Sequence, residues 1–296
     1  AAEAQAQAAQ AGREDLRLRG LGLEAVARAK RGDHAEGLAM VRDALAAALA
    51  GGSTPVAAEL YQRLSLIVYD AGDYRSAEAT LDTALELCDP VREGDVAVAC
   101  ITCMVFVLRE CGEWTRAAEL GRRVMAEGPG GWVAEGLVGA ILAYQGRLRS
   151  ARRMLASSLA VSSRIDHFNM TIDSTTALSW IAALEGAPDV WARRCREIID
   201  RWERSEDHHY ALRGLRWSAE LLARQGDLGG AHACTAALSH IAATTGHPDA
   251  LAALAHAIGE VALAEGDAAT AAEQLVRAAE LHRGLDVPLD RAGIGL

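Results

Sequence analysis

The sequence predicts an all-α chain, a right-handed superhelical solenoid of about seven antiparallel helix pairs. Three observations predict it. A glycine, usually followed by a polar residue, recurs at Gly32, Gly72, Gly112, Gly146, Gly186, Gly226 and Gly266, in steps of 40, 40, 34, 40, 40 and 40 residues, and a fixed period of this size marks a repeat architecture. Five places after most of these glycines stands a small residue (Gly37, Ala77, Ala117, Ala151, Ala231, Ala271), and seven beyond that another small or branched one (Ala44, Ala84, Val124, Ser158, Leu238, Ala278). Finally, apolar residues make up 51% of the chain but aromatics only 4%. That balance suits closely packed, alanine-rich helices and disfavours a sandwich or propeller.

Taken in order, residues 1–12 form a low-complexity Ala/Gln tract that reads either as a frayed helix or as disordered, and residues 13–296 form one domain of repeats. In each repeat the glycine ends a first helix, where a residue without Cβ suits a left-handed turn. The small residues then let the second helix approach closely. In the unit Tyr61–Pro90, Leu60, Leu64, Ile67 and Val68 give the first helix its apolar stripe, and Ala77, Leu81, Ala84 and Leu85 do the same for the second. Thr54 before Pro55 is the expected N-cap of the first helix. Pro55, Pro90, Pro129, Pro188, Pro248 and Pro288 all fall between helices or in a first turn, where proline is tolerated. Pro188 makes its unit the least regular, with a second helix starting near Asp189 that turns Trp191, Cys195 and Ile198 inward.

Composition narrows the function. The longest nearly apolar run, Val96–Leu108, is interrupted by Thr102 and is shorter than the roughly 20 residues a bilayer needs, so no membrane role is expected. No secretory leader pattern is visible. A formal charge of -10 disfavours a nucleic-acid-binding face. Six cysteines scattered through apolar stretches read as reduced core residues of a cytoplasmic protein.

Catalytic patterns are missing: there is no phosphate loop ending in Lys-Ser/Thr, no nucleophile elbow and no HExxH. Cys100 and Cys103 form a lone CxxC, which without a second pair reads as core. His208 and His209, with Asp166 and His167 at the equivalent end of another unit, fit helix capping better than a metal site. Two arginine clusters (Arg147, Arg149, Arg152, Arg153; and Arg193, Arg194, Arg196, Arg201, Arg204) fall in second helices and read as a solvated outer face.

The small-residue spacing resembles the tetratricopeptide repeat (TPR). Gly72, Ala77 and Ala84, with Tyr61, Leu64 and Ser65 upstream, match its signature well; Gly112, Trp114, Ala117 and Val124 match more loosely, as do Gly226 with Ala231 and Gly266 with Ala271 and Ala278. The usual unit is about 34 residues, whereas here it is mostly 40. Longer units with AxxxG(D/R)xxxA turns, and the stretch Ala278–Leu296 with its LxVPLDRA turn and fresh helix, are similar to the repeat regions of large LuxR-type, ATPase-linked bacterial transcriptional regulators. There an ATPase module precedes the repeats and a helix-turn-helix domain often follows. Neither is in this sequence, which therefore reads as an excised fragment of a longer chain.

The resemblance implies a non-enzymatic protein-interaction or effector-sensing domain of a regulator. It would touch DNA only through a domain absent here and need no cofactor or metal. Solenoids of this kind bind through the concave surface lined by their first helices. By phase, the residues on that surface are Gln62, Leu66, Tyr69, Thr102, Phe106, Arg109, Tyr144, Asp173, Thr176, Trp180, Arg213, Arg216 and Glu220. This mixture of aromatics, arginines and hydroxyls suits a protein or peptide partner or a small effector. Phe106 and Trp180 read equally well as packing residues between units, and Trp132, Trp191, Trp202 and Trp217 read as gap fillers. The competing reading is a structural scaffold that forms homo-oligomers through the apolar ends of the array.

Overall fold

The structure, a computed structural model, describes residues 2–88, 94–127, 130–204, 209–285 and 287–290. Among these the chain is α-helical, with one short 3-10 turn and no strand. It divides into two compact units, Ala1–Leu108 and Arg109–Leu296.

The first unit holds α1 (Ala2–Gln10), α2 (Glu14–Lys30), α3 (His34–Ala50), α4 (Thr54–Asp70), α5 (Tyr74–Leu87) and most of α6 (Gly94–Glu110). The Ala/Gln tract is thus helical over Ala2–Gln10, and Gln5 ties it to α2 by donating from Nε2 to Glu24 at 2.8 Å. Nine residues make a marginal helix alone, so docking on α2 sustains it. Leu18, Ala25, Val41, Ala44, Leu60 and Ile67 form the core of α2, α3 and α4.

The second unit holds the end of α6 and then α7 (Trp114–Glu127), α8 (Gly131–Tyr144), α9 (Leu148–Arg164), α10 (Phe168–Leu184), α11 (Pro188–Trp202), the 3-10 turn His209–Ala211, α12 (Leu212–Gln225), α13 (Leu228–Thr245), α14 (Pro248–Glu265) and α15 (Ala268–Arg283). The seven recurring glycines each lie between a first and a second helix, with φ from 67° to 103°. The polar residue after the glycine has its own task. Asp73, Asp227 and Asp267 each accept a hydrogen bond from the backbone N–H three residues on, at 3.0–3.1 Å, and so cap the second helix.

The small positions are where the paired helices touch. Ala77, Ala117, Ala151, Ala231 and Ala271, and the later set Ala44, Ala84, Val124, Ser158, Leu238 and Ala278, are all buried. In the Pro188 unit the fifth position after the glycine is Trp191, buried with Cys195 and Ile198. A bulky ring where the other units carry a small residue explains why this unit departs from the pattern. Two boundaries differ from expectation by one residue. Ser53, not Thr54, is the N-cap of α4, because Gly52 already turns the chain out of α3 (φ 68°) and Pro55 sits inside the first turn. Likewise α11 begins at Pro188 rather than Asp189, again with proline in the first turn.

Backbone approaches closely at Gly37, where a Cβ would lie 2.5 Å from the Ala25 carbonyl oxygen and 3.0 Å from the Ala29 nitrogen. Both are backbone atoms of α2 that cannot rotate away. Gly37→Ala is therefore expected to destabilise the chain by about 1–2 kcal/mol, overpacking exceeding the gain in helix propensity. Gly229→Ala on exposed α13 has open space and is expected to stabilise by a few tenths of a kcal/mol. Thermal midpoints by circular dichroism check both signs.

Candidate functional site

In the first unit the expected surface residues of α4 and α6 are packed rather than open. The Tyr69 ring meets Tyr74 at 5.3 Å and Phe106 at 6.3 Å, edge-on in each case, and both Tyr69 and Phe106 are buried. Gln62 donates from Nε2 to the Cys103 sulfur at 3.2 Å. Thr102 donates its hydroxyl to the Val98 carbonyl within its own helix at 2.8 Å. Edge-on aromatic contacts are stabilising packing, and they leave this group little polar surface to offer a ligand.

The second unit is different, because its first helices present a buried charged cluster. Arg109 at the end of α6 donates from Nη1 to both carboxylate oxygens of Asp173 of α10 (2.7 and 2.8 Å) and from Nη2 to Glu110 at 2.8 Å. Arg213 of α12 pairs with Glu110 and, at 2.9 Å, with Asp290, which lies beyond α15. Arg216, one turn along α12, holds the other Asp290 oxygen at 2.5 Å and contacts His256 Nδ1 of α14 at 2.8 Å. Three arginines and three carboxylates thus share one site: the Arg109, Glu110 and Arg216 side chains are 3–5% exposed, and those of Asp173, Asp290 and Arg213 12–16%.

The 40-residue step builds this cluster. Asp173 and Arg213 occupy one position of successive first helices (213 − 173 = 40). Thr176, Arg216 and His256 occupy another (216 − 176 = 40; 256 − 216 = 40), and Trp180, Glu220 and Glu260 a third (220 − 180 = 40; 260 − 220 = 40). Beside the charges stands an aromatic row in which Trp180 stacks on Trp217 at 4.8 Å, Trp217 meets Tyr144 at 6.0 Å, and Tyr144 meets Trp114 at 6.0 Å. Trp217 thus joins this face, having been expected only to fill a gap. Glu220 anchors Arg224 at 2.9 Å, and His256 Nε2 lies 3.6 Å from Glu260.

Burial and charge set the protonation. Burial works to raise the Asp290 carboxyl, but Arg213 and Arg216 outweigh it and hold it far below the usual range. Burial likewise works to raise Glu110, and Arg213 and Arg109 overcome it. For Arg216 burial wins over Asp290, so its charged form is disfavoured relative to an ordinary arginine. Arg109 is raised, because Asp173 and Glu110 more than offset its burial. At neutral pH Glu110 and Asp290 are therefore anionic beside cationic Arg109 and Arg213, and Arg216 is the cation least compensated by its surroundings.

Of the residues expected on this face, Arg109, Asp173, Arg213 and Arg216 are in the cluster and Tyr144, Trp180 and Glu220 stand beside it, whereas the buried Thr176 hydroxyl has no hydrogen-bond partner among the described residues. Sequence reasoning missed Glu110, His256, His282 and Asp290. A charged residue beside a turn glycine, as Glu110 is, looks like a solvated helix end, but the 40-residue step from Arg216 could have found His256.

The other candidates resolve as local structure. His208 lies outside the described residues, and His209 pairs with Asp249 at 3.2 Å. His167 caps α10 by accepting from the Met170 N–H and packs edge-on against Trp132. Burial pushes the Cys100 and Cys103 thiols up and that of Cys195 to about 11, which disfavours the thiolate form. Among the described residues no group of three or more His, Cys, Asp or Glu could hold a metal, and no helix is long and apolar enough to cross a membrane. The second-helix arginines are mostly exposed. Arg152 and Arg194 flank a hollow of about 590 Å³ lined by Leu159, Leu178, Ile181 and Val190, where Arg152 pairs with Glu185.

No family model matches the chain, and no curated protein does. Solved structures do. The apo form of RapI is similar over 90% of this chain and 97% of its own, with a TM-score of 0.61 at 14% identity. A tetratricopeptide repeat protein from Parabacteroides merdae ATCC 43184 is similar over 89% of this chain and 93% of its own, with a TM-score of 0.50 at 16% identity. The fold is that of a TPR-like helical repeat protein. At these identities the likeness extends to the fold alone, and the charged cluster is read from this chain's own residues.

Proposed function

We propose that the chain is a non-enzymatic interaction domain that takes a protein or peptide partner on the first-helix face of its second unit. One observation carries the reading: successive first helices deliver arginines, carboxylates and aromatic rings to one face at the repeat's own step. Stability alone does not call for this, since a buried ion cluster is often replaceable by apolar residues at no loss. Arginine beside tryptophan and tyrosine is the chemistry of binding hot spots. The turn signature and the stretch Ala278–Leu296 support placing this domain within a transcriptional regulator, where binding would be relayed to an output domain. The six thiols, none of them in a disulfide, support a cytoplasmic setting.

A displayed peptide library panned on the intact chain tests this reading. Enriched peptides are expected to be acidic and to lose at least tenfold in affinity for Arg213→Gln, with circular dichroism confirming that the variant is folded. Equal binding by both proteins, or no enrichment at all, counts against it. The scaffold reading has its own support: Leu16 and Leu23 of α2 and Leu263 and Val276 of the last helix pair are exposed, apolar surface near both ends of the repeat series. Light scattering separates the two, because a strict monomer at high concentration removes the scaffold.

A further inference from the structure

Leu285 and residues 287–290, beyond α15, the last second helix, do not continue the repeat. They stand on the first-helix face of their unit, where Leu285, Val287 and Asp290 are buried. Pro288 opens a new helical turn and stands directly over Gly112, where a Cβ would come within 2.6 Å of the Pro288 ring. Asp290 reaches Arg213 and Arg216, more than 70 positions earlier in the chain: Arg213 donates to both carboxylate oxygens (2.9 and 3.4 Å) and Arg216 shares one of them at 2.5 Å. The surroundings fit an occupant of this kind. Without Asp290, three arginines would face two carboxylates at the cluster, and Arg216 would keep the imidazole of His256 and the Trp217 ring beside it. Close above, both ring nitrogens of His282 are buried without a hydrogen-bond partner among the described residues. This is the contact set of a peptide seated in a carboxylate-reading site, supplied here by the chain itself.

We infer that the first-helix face of the second unit is a binding site for an acidic peptide of the pattern apolar–Pro–apolar–Asp, with Arg213 and Arg216 reading the carboxylate, and that residues 287–290 occupy it as a self-ligand. The inference rests on the interaction reading above and names the chemistry of the partner. A partner must displace the segment, so free peptide binds the intact chain weakly and binds tightly once the segment is loosened. A tethered competitor acts at an effective concentration of about millimolar, which makes the expected contrast at least tenfold.

Two variants loosen the segment by different means. Asp290→Asn removes the carboxylate. Gly112→Ala leaves every charged group in place and puts a methyl where Pro288 stands. Gly146→Ala is its control, with nearly the same backbone (φ 76° against 77°) but nothing near the new Cβ. The probe is a fluorescein-labelled octapeptide of residues 284–291, used beside a version with its final Asp replaced by Asn, and binding is read by anisotropy on the full chain. Asp290→Asn and Gly112→Ala are expected to bind the probe at least tenfold more tightly than wild type and Gly146→Ala, and the Asn peptide is expected to bind none of them appreciably. Equal binding of both peptides, or Gly112→Ala matching Gly146→Ala, overturns the inference. Should Asp290→Asn fail to fold by circular dichroism, the glycine pair still decides. Library peptides that bind wild type while neither loosened variant gains for the probe would sink self-occupancy and leave the interaction reading standing. Absence of all peptide binding would remove both.

Discussion

Arg109→Ala is expected to destabilise the second unit by about 3–5 kcal/mol. The guanidinium holds both oxygens of Asp173 and one of Glu110 with almost no exposure to water. Removing it strands the Asp173 carboxylate and leaves buried Glu110 to Arg213 alone, and the loss is a large fraction of the roughly 5–15 kcal/mol by which a domain is stable. Arg152→Ala is the contrast, because the Arg152–Glu185 pair is exposed and such pairs are worth about 0–1 kcal/mol. All six tryptophans lie between Trp114 and Trp217, so tryptophan fluorescence in a urea titration reports on the second unit alone. A shift for Arg109→Ala no larger than that for Arg152→Ala would mean the cluster is hydrated in solution.

Acid is expected to weaken the same unit in two steps. Burial lowers the His282 imidazole to about 4, against partial compensation from Asp290. Its proton therefore binds the unfolded chain near the ordinary value of about 6.5 and the folded chain only near 4. The stabilisation is complete above pH 6.5 and is lost as pH falls towards 4, by about 3 kcal/mol. The second step belongs to Asp290. Its folded value is depressed, so its contribution is present above the usual carboxylate range and disappears in stronger acid. Urea midpoints followed through tryptophan fluorescence from pH 7.5 to 3 check both steps. His282→Leu is expected to flatten the limb between 6.5 and 4 and to leave the lower one. An unchanged upper limb would assign it to other groups.

The helix pairs were legible because their causes are local and periodic. A left-handed turn needs glycine, an Asp after it caps the next helix, and close pairing needs Ala at a fixed distance, so Gly226, Asp227 and Ala231 announce their unit without any structure. Much of the candidate site was legible for the same reason, since Asp173 and Arg213, and Thr176 and Arg216, inherit the repeat's register. What periodicity could not convey is pairing. Nothing local couples Arg213 to Glu110 across 103 positions, or to Asp290, which stands past the last repeat. Periodicity also does not separate a ring on the open face from one packed between helices. Tyr69 and Phe106 share the phase of Trp180, yet their edge-on contacts bury them.

Hydrogen–deuterium exchange on the intact chain, with and without saturating octapeptide 284–291, tests the central claim most directly. The account predicts slower exchange in α10, α12 and α14 and faster exchange across residues 287–290 as the peptide displaces them. Protection confined to the second helices α11 and α13, or a segment 287–290 unaffected by bound peptide, would contradict it.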